Sequence, residues 1–514
     1  MGDGKRLINN EFCDRLIKEG INGRPDEEVF FRICALMRLA EELRRQDART
    51  CVLGWFEAME QRSVAGELAV LLDYNRANAI AGERYGTQWK WEQPTLAREL
   101  FYLRRAVSRP EFAQIPDVTK CMCLNNLGNR LMVAGRCVEA LDIWRRGLEI
   151  SPSFGMSLFN RAKALAHYAD AVDDDDIRTL FLWVAQKDAS AAIAPTAVYT
   201  AVRDSESKKA AKELKDWIES FLDIKGLDSL SPLTREPRRI EPEERDYVLW
   251  CLKNCLYLNP INDLGPHNLA ASDSLTLAMH IVPVDAPYTF ESFFDQMKQE
   301  YVSARWLLDE GLTLASPHLS DREVLLSAAE PRPSLSLSTE KLKTAFRIAY
   351  SLFDKVSFFV NAFMALGIPE KLVSFRTLWK TEDKKAIRPQ FDSTTNWGFC
   401  ALYWLAKDFF EKPSDDVAEP HARALCDIRN HIEHKYLRVS VAETPSAPTD
   451  DLALTVSRER FGRDALHVLK LARSALIYLD ISVRYEEQRR EPDRMGLALE
   501  EIPAAPYLTD AEKF

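Results

Sequence analysis

The sequence predicts an all-α protein, and three observations point there. Glycine is scarce, 19 in 514 residues, whereas strand-rich folds need many glycine-containing tight turns. Apolar residues recur at helical spacing along most of the chain. The ten cysteines sit mostly inside those apolar stretches and not in turn-rich clusters, which reads as reduced thiols and not as a disulfide framework.

The N-terminal third opens with helical patterns at residues 28–45, 51–59 and 68–80. An internal repeat follows: YNRANAI (74–80), LNNLGNRL (124–131) and FNRAKAL (159–165) are alike. Their small residues are Ala77, Gly128 and Ala162. The second pair lies 34 residues apart and the first 51, so an insertion is needed, and the turn-like YGTQWKWEQP at 85–94 supplies one. The central unit carries Leu124, Leu127, Gly128, Leu131, Gly135, Cys137, Ala140, Trp144, Gly147, Leu148 and Pro152. Gly128 and Ala140 are small where two antiparallel helices would cross closely. Leu124, Leu131 and Trp144 would fill the space between them, and Pro152 would stop the second helix. Spacing and pattern resemble the tetratricopeptide (TPR) repeat, strongly in this unit and loosely elsewhere between about residues 30 and 200. A plain helical hairpin is the other reading. We expect a TPR-like domain over 1–205.

A helical connector is expected over 206–289. Before it, ADAVDDDD (169–176) reads as a solvated loop or a helix start. Residues 204–223 read as a charged amphipathic helix and 227–243, with three prolines, as an inter-domain connection. YVLWCLKNCLYLNPINDLG (247–265) reads as a buried helix ending near Asn259 and Pro260. Cys251 and Cys255 would share a helix face as core thiols, since no second pair follows at zinc-like spacing. A further helix is expected at 293–312.

The C-terminal part reads as a four-helix bundle with helices at 339–366, 395–411, 416–439 and 461–490. The Pro-rich acidic tail, 491–514, reads as loosely ordered.

The net charge of −10 argues against a general nucleic-acid coat. The first twelve residues have no apolar core of a secretory signal, and Arg6 misses the myristoylation pattern. The most apolar long stretch, 350–368, contains Asp354, Lys355 and Asn361 and is too polar to span a membrane. A cytoplasmic protein without a membrane partner is expected.

Only eight histidines occur, and three fall within fourteen residues: His421, His431 and His434. This is where groups titrating near neutral pH concentrate. The local sequence DIRNHIEHKY (427–436) lies on the third bundle helix, flanked by Leu425, Ile428, Ile432 and Leu437. RNHIEH (429–434) resembles the R-x4–6-H motif of the HEPN superfamily, including the polar residue directly after the Arg. LNPINDLG (258–265), MKQEYVSARWLLDEG (297–311), YSLFDKVSFFVN (350–361) and LYWLAKDFFE (402–411) resemble a bacterial HEPN subgroup in which the domain follows TPR-like repeats. The domain itself is placed at 290–490.

The resemblance implies metal-independent RNA cleavage, without a cofactor, in a homodimer whose two motif helices face each other. The 2′-OH would attack the adjacent phosphate, leaving a 2′,3′-cyclic phosphate and a 5′-OH. His434 would be the general acid or base and Arg429 the phosphate ligand, with Asn430 orienting the phosphate or the histidine. The supporting residues are His431, Glu433 and Asp354; the last, on the first bundle helix, would either approach the motif helix and orient its groups or be a buried acid bonded to a neighbouring helix. The RNA would be tRNA, mRNA or rRNA. The role would be that of a toxin or an antiphage-defence protein, with a protein partner on the TPR-like domain. The residue types suit this chemistry, since histidine titrates near pH 6.5 and arginine keeps a planar charged fork for phosphate oxygens.

Other readings stay open. Five residues of helix rotate about 500°, so Arg429 and His434 would point roughly 140° apart, while Asn430 and His434 share a face. Arg429 and Glu433 have the spacing of a surface ion pair, and His434 could be a bonded core residue. Asp427, His431 and His434 could hold a metal. The competing function is a non-catalytic TPR–HEPN scaffold that binds a protein or nucleotide.

Overall fold

The computed structural model describes residues 3–82, 91–93, 95–200, 204–234, 240–281, 288–314, 317–326, 333–383, 386–392, 395–409, 417–441, 452–490 and 513. The insertion expected at 85–94 falls mostly outside these residues, as does nearly all of the tail. The fold is all-α, 72% helical, with one small two-stranded sheet among the described residues.

Ten helices come first: α1 (Asp3–Glu19), α2 (Asp26–Leu43), α3 (Gln46–Gln61), α4 (Glu67–Ala81), α5 (Leu96–Ser108), α6 (Asp117–Val133), α7 (Cys137–Ile150), α8 (Gly155–Ala169), α9 (Asp175–Ile193) and α10 (Asp204–Glu219). α11 (Ile224–Leu230) and α12 (Arg245–Lys253) follow, then α13 (Thr289–Thr313), α14 (Leu337–Phe363), α15 (Pro389–Asp392), α16 (Trp397–Ala406) and α17 (Ala422–His434). Strands β1 (Tyr436–Ser440) and β2 (Ala453–Ser457) precede the long α18 (Arg458–Arg490).

The chain forms two compact units. The first comprises Met1–Ala164, Lys187–Asp216 and Lys407–Arg423; the second comprises Leu165–Gln186, Trp217–Ala406 and Ala424–Phe514.

In the first unit, local sequence starts and stops the helices. Pro25 and Pro116 stand directly before α2 and α6. Acids fill the first turns, Asp26, Glu27 and Glu28 in α2 and Asp117 in α6, where they complement the helix dipole. Gly135, at φ +75°, turns the chain between α6 and α7. Those two helices cross closely at Gly128, where a methyl group would collide with the indole of Trp144. Trp144 is buried and donates from Nε1 to the Asn125 carbonyl at 3.2 Å. Ala140 is fully buried, and α7 ends at Ile150, two residues before Pro152. In the second unit the acidic run ends in a helix start: Asp174 Oδ1 accepts the amides of Asp176 and Ile177 at 2.9 and 3.0 Å, capping α9.

Residues 407–423 lie in this first unit through buried charge. Asp408, fully buried, pairs with Arg104 at 2.6 Å and with Arg136, also fully buried, at 2.7 Å. Arg104 also donates to the Ala418 carbonyl at 3.0 Å and lies 3.4 Å from Glu419.

In the second unit, α14 and α18 pack through rings such as Phe346 and Phe461, 5.9 Å apart. α16 is buried on every side. Its Gly398 meets the backbone of α18, where a Cβ would lie 2.8 Å from the Ser482 amide nitrogen and 2.9 Å from the Tyr478 carbonyl oxygen.

Three element expectations change. The helix expected over 416–439 is α17, and it ends at His434; Tyr436–Ser440 is β1, paired in parallel with β2. Leu437 and Val439 are buried in alternation with half-buried Tyr436, Arg438 and Ser440, a period of two that suits a strand. The helix expected to run to Pro260 stops at Lys253. Cys255 therefore lies off the helix, at φ +54°, although it and Cys251 are both buried. The second bundle helix is short, α16, continued by a 3-10 turn at Lys407–Phe409.

Candidate active site

The candidate site is built on α17 and on the face of α14 beside it. Leu425 and Ile428 are buried and fix the rotation of α17, as is Leu437 just beyond it. With those positions inward, Cys426, Arg429 and Glu433 fall on one stripe at i, i+3 and i+7. Arg347, Tyr350 and Asp354 form the same stripe on α14.

The two stripes meet in antiparallel order. Arg347 pairs with Glu433 at 3.1 Å, both side chains partly in solvent. The hydroxyl of Tyr350 lies 3.5 Å from Cys426 Sγ. The Arg429 guanidinium lies over the Tyr350 ring, 5.8 Å from its centre. Burial pushes the Asp354 carboxyl above its ordinary range, and the charges of Arg429 and Arg376 pull it back. Burial likewise pushes up the Tyr350 phenol, helped by Cys426 and opposed by Arg376 and Arg429.

The other face of α17 carries the rest of the motif. Asn430 Oδ1 accepts from Arg429 Nη1 at 3.1 Å, so Arg429 reaches around the helix to the face that Asn430 shares with His434. Arg429, about 140° from His434 on the helix, is thus bonded to the residue one turn before His434. His434 is exposed and sits in the last turn of α17. It is no core residue, and among the described residues nothing hydrogen-bonds its ring. His431 Nδ1 lies 2.7 Å from the Asp427 carbonyl of its own helix.

Two open readings change. Glu433 pairs with Arg347 on α14 and not with Arg429 one turn away. Among the described residues no three His, Cys, Asp or Glu side chains converge as a metal site would require. His421 stands before the first residue of α17, about 20 Å along the helix from His434, and its amide donates to Glu419 at 3.0 Å. It belongs to the first unit.

Sequence reasoning missed Arg347, Tyr350 and Arg376. The first two could have been found from their i, i+3, i+7 spacing with Asp354. Arg376 comes from the loop after α14, and no helical pattern announces it.

Residues 282–486 match the family model described as LA2681-like HEPN. The C-terminal part of the chain therefore carries an HEPN domain, containing α13 to α17, both strands and most of α18. Residues 258–265 lie outside the matched stretch. No curated protein and no solved structure matches the chain. No helix among the described residues is long and apolar enough to cross a membrane.

Proposed function

We propose that the HEPN domain is a metal-independent endoribonuclease in which Arg429 and His434 act together. The observation that carries this reading is their arrangement within the matched domain. The Arg429 guanidinium is anchored between Tyr350 and Asn430, and His434 is exposed on the face that Asn430 shares.

In the reaction, the ribose 2′-oxygen bonds to the adjacent phosphorus and the bond from phosphorus to the 5′-oxygen breaks. A base takes the 2′-OH proton and an acid returns a proton to the 5′-oxygen, leaving a 2′,3′-cyclic phosphate and a 5′-OH. One exposed histidine on each motif helix suits one of these roles, so a homodimer would bring two His434 side chains to one substrate as base and acid. Arg429 would hold the phosphate through its planar fork and offset the charge that develops there. Asn430 orients Arg429, Glu433 holds the two helices in register through Arg347, and Asp354 would help to orient the motif. His431, tied to its own helix, has a supporting role only. The helices of residues 1–205 would form a TPR-like array that takes a protein partner and restrains the nuclease. A toxin or antiphage-defence role, with tRNA, mRNA or rRNA as the target, follows by analogy at the level of family.

Purified wild type should cut RNA in EDTA. Arg429→Ala and His434→Ala should each lower the rate at least 100-fold while the circular dichroism melt stays within about 3 °C, given that one acid–base group contributes about 10²–10⁴-fold. A wild type that cuts no RNA, with the same result for both variants, overturns the enzyme reading. It would favour the scaffold reading, which Arg429's packing against α14 also suits. Loss of cutting in EDTA would sink the metal-independent mechanism.

A further inference from the structure

We infer that the N-terminal helices carry a binding site of their own, a pocket between α3, α4 and α5 that takes a small carboxylate with an apolar body. This goes beyond the ribonuclease reading and does not depend on it.

Five charged side chains form one chain of bonds there. Glu60 on α3 accepts from Arg76 Nη1 on α4 at 3.0 Å and from Arg105 Nη1 on α5 at 2.6 Å. Asp73 on α4 accepts from Arg105 Nε at 2.9 Å and from Nε of Arg109, the residue after α5, at 2.8 Å. Spacing brings them together: Asp73 and Arg76 stand at i, i+3, and Arg105 and Arg109 at i, i+4, so each pair shares a face. The Tyr102 ring, one turn before Arg105, supports both neighbouring guanidiniums, 4.4 Å from that of Arg76 and 4.9 Å from that of Arg105.

These five line a cavity of about 200 Å³ whose other wall is Phe56, Met59, Val64 and Leu72. Three arginines face two carboxylates, a surplus of one positive charge. Arg105 spends all three of its nitrogens on the two acids. The outer two arginines do not. Arg76 bonds through Nη1 alone; its side chain is 9% exposed, and its Nε is buried without an acceptor. Arg109 bonds through Nε alone, and neither of its Nη nitrogens makes a hydrogen bond among the described residues. Buried positive charge without a counter-charge is costly, so the cluster is complete only with an anion in the cavity. A surplus of one favours a monoanion over a phosphate dianion. Arginine forks match a carboxylate, and the apolar wall takes its hydrocarbon part. The cavity lies below the roughly 300–1,000 Å³ of drug-sized sites, so the acid is small.

The probe is benzoate, titrated calorimetrically into the full-length chain. Beside it run benzamide, with the ring but no charge, acetate, with the charge but no ring, and inorganic phosphate. Benzoate should bind saturably at millimolar concentration and raise the melting temperature in step. Acetate should bind about tenfold more weakly or less, and benzamide should give no saturable heat. Arg109→Gln, which can still donate to Asp73, should weaken benzoate about tenfold, the size of one lost charged hydrogen bond. Its circular dichroism melt without benzoate should match wild type, and Arg109→Lys should recover part of the affinity. No saturable heat from benzoate would overturn the inference, as would equal binding of benzamide. Wild-type affinity in both Arg109 variants would also overturn it, assigning the cluster to holding α3, α4 and α5 together. Tighter binding of phosphate than of benzoate would overturn the ligand class. None of these measurements involves RNA, so each of these failures leaves the ribonuclease reading standing.

Discussion

On α18, Asp480 keeps part of its surface in solvent, but the protein packed around it pushes its carboxyl up to about 7. The carboxylate accepts the Ala278 amide at 2.7 Å; Asp173 opposes its charge, and Arg484 and Lys298 support it. An unfolded aspartate titrates near pH ~3.9. Below that, Asp480 is protonated in both states and costs nothing. Between about pH 4 and 7 the unfolded chain loses the proton first, so folding stability falls as pH rises, and the loss is complete above about pH 7. Asp480→Asn removes this titration. Its advantage over wild type in urea midpoint should grow from pH 4 to 7 and then level off, reaching on the order of 1–3 kcal/mol. A gap that does not change with pH would refute this. Residue spacing made part of the candidate site legible. Asn430 and His434 are expected on one helix face from their i, i+4 spacing, and both lie on α17. What stayed hidden was the partner of Glu433, because i, i+4 spacing points to Arg429 whereas the side chain turns to Arg347.

For whole elements, helical periodicity was the readable signal, and it fails where a short segment must choose a partner from elsewhere in the chain. Residues 436–440 extend the helical pattern of α17 on paper. In the fold they pair with 453–457, and the Ser334 amide joins β1 by donating to the Val439 carbonyl at 2.7 Å. The α6–α7 hairpin was legible because its requirement is local: a small residue opposite a large one. Gly128 faces the Trp144 indole, whereas Gly54, exposed on α3, has nothing within 4 Å of an added methyl. The same substitution should therefore have opposite signs. Gly128→Ala should destabilise by roughly 1–3 kcal/mol through overpacking. Gly54→Ala should stabilise by about 0.5–1 kcal/mol through helix propensity. Urea melts of the two variants check this, and stabilisation of both would deny the close crossing.

Across the whole molecule, the net charge of −10 and the contacts between distant segments act together. The acidic total excludes a general nucleic-acid surface, but it also hides cations that are already committed inside the fold. Arg104 and Arg136 are such cations, and both end on Asp408, about 270 to 300 residues further along. No sequence pattern links them, because neither helical period nor motif spacing reaches that far. The consequence bears on the motif helix, since Asp408, Ala418 and Glu419 stand just before α17. A fragment of residues 217–514 keeps every residue of the Arg429–His434 motif and most of α17's packing. It strands the carboxylates of Asp408 and Glu419, which in the full chain meet Arg104 at 2.6 and 3.4 Å. Breaking a buried pair by removing one partner costs about 3–5 kcal/mol. The fragment should therefore melt roughly 5–8 °C below the full chain, a shift of the size such a loss gives in about 300 residues. Hydrogen exchange should rise in residues 417–428 far more than in α18. Asp408→Asn in the full chain should reproduce the exchange pattern in weaker form, because the amide still accepts from one guanidinium. Equal melting and equal exchange in fragment and full chain would mean that the motif helix stands without the N-terminal helices, and that any control they exert must come through a bound partner instead.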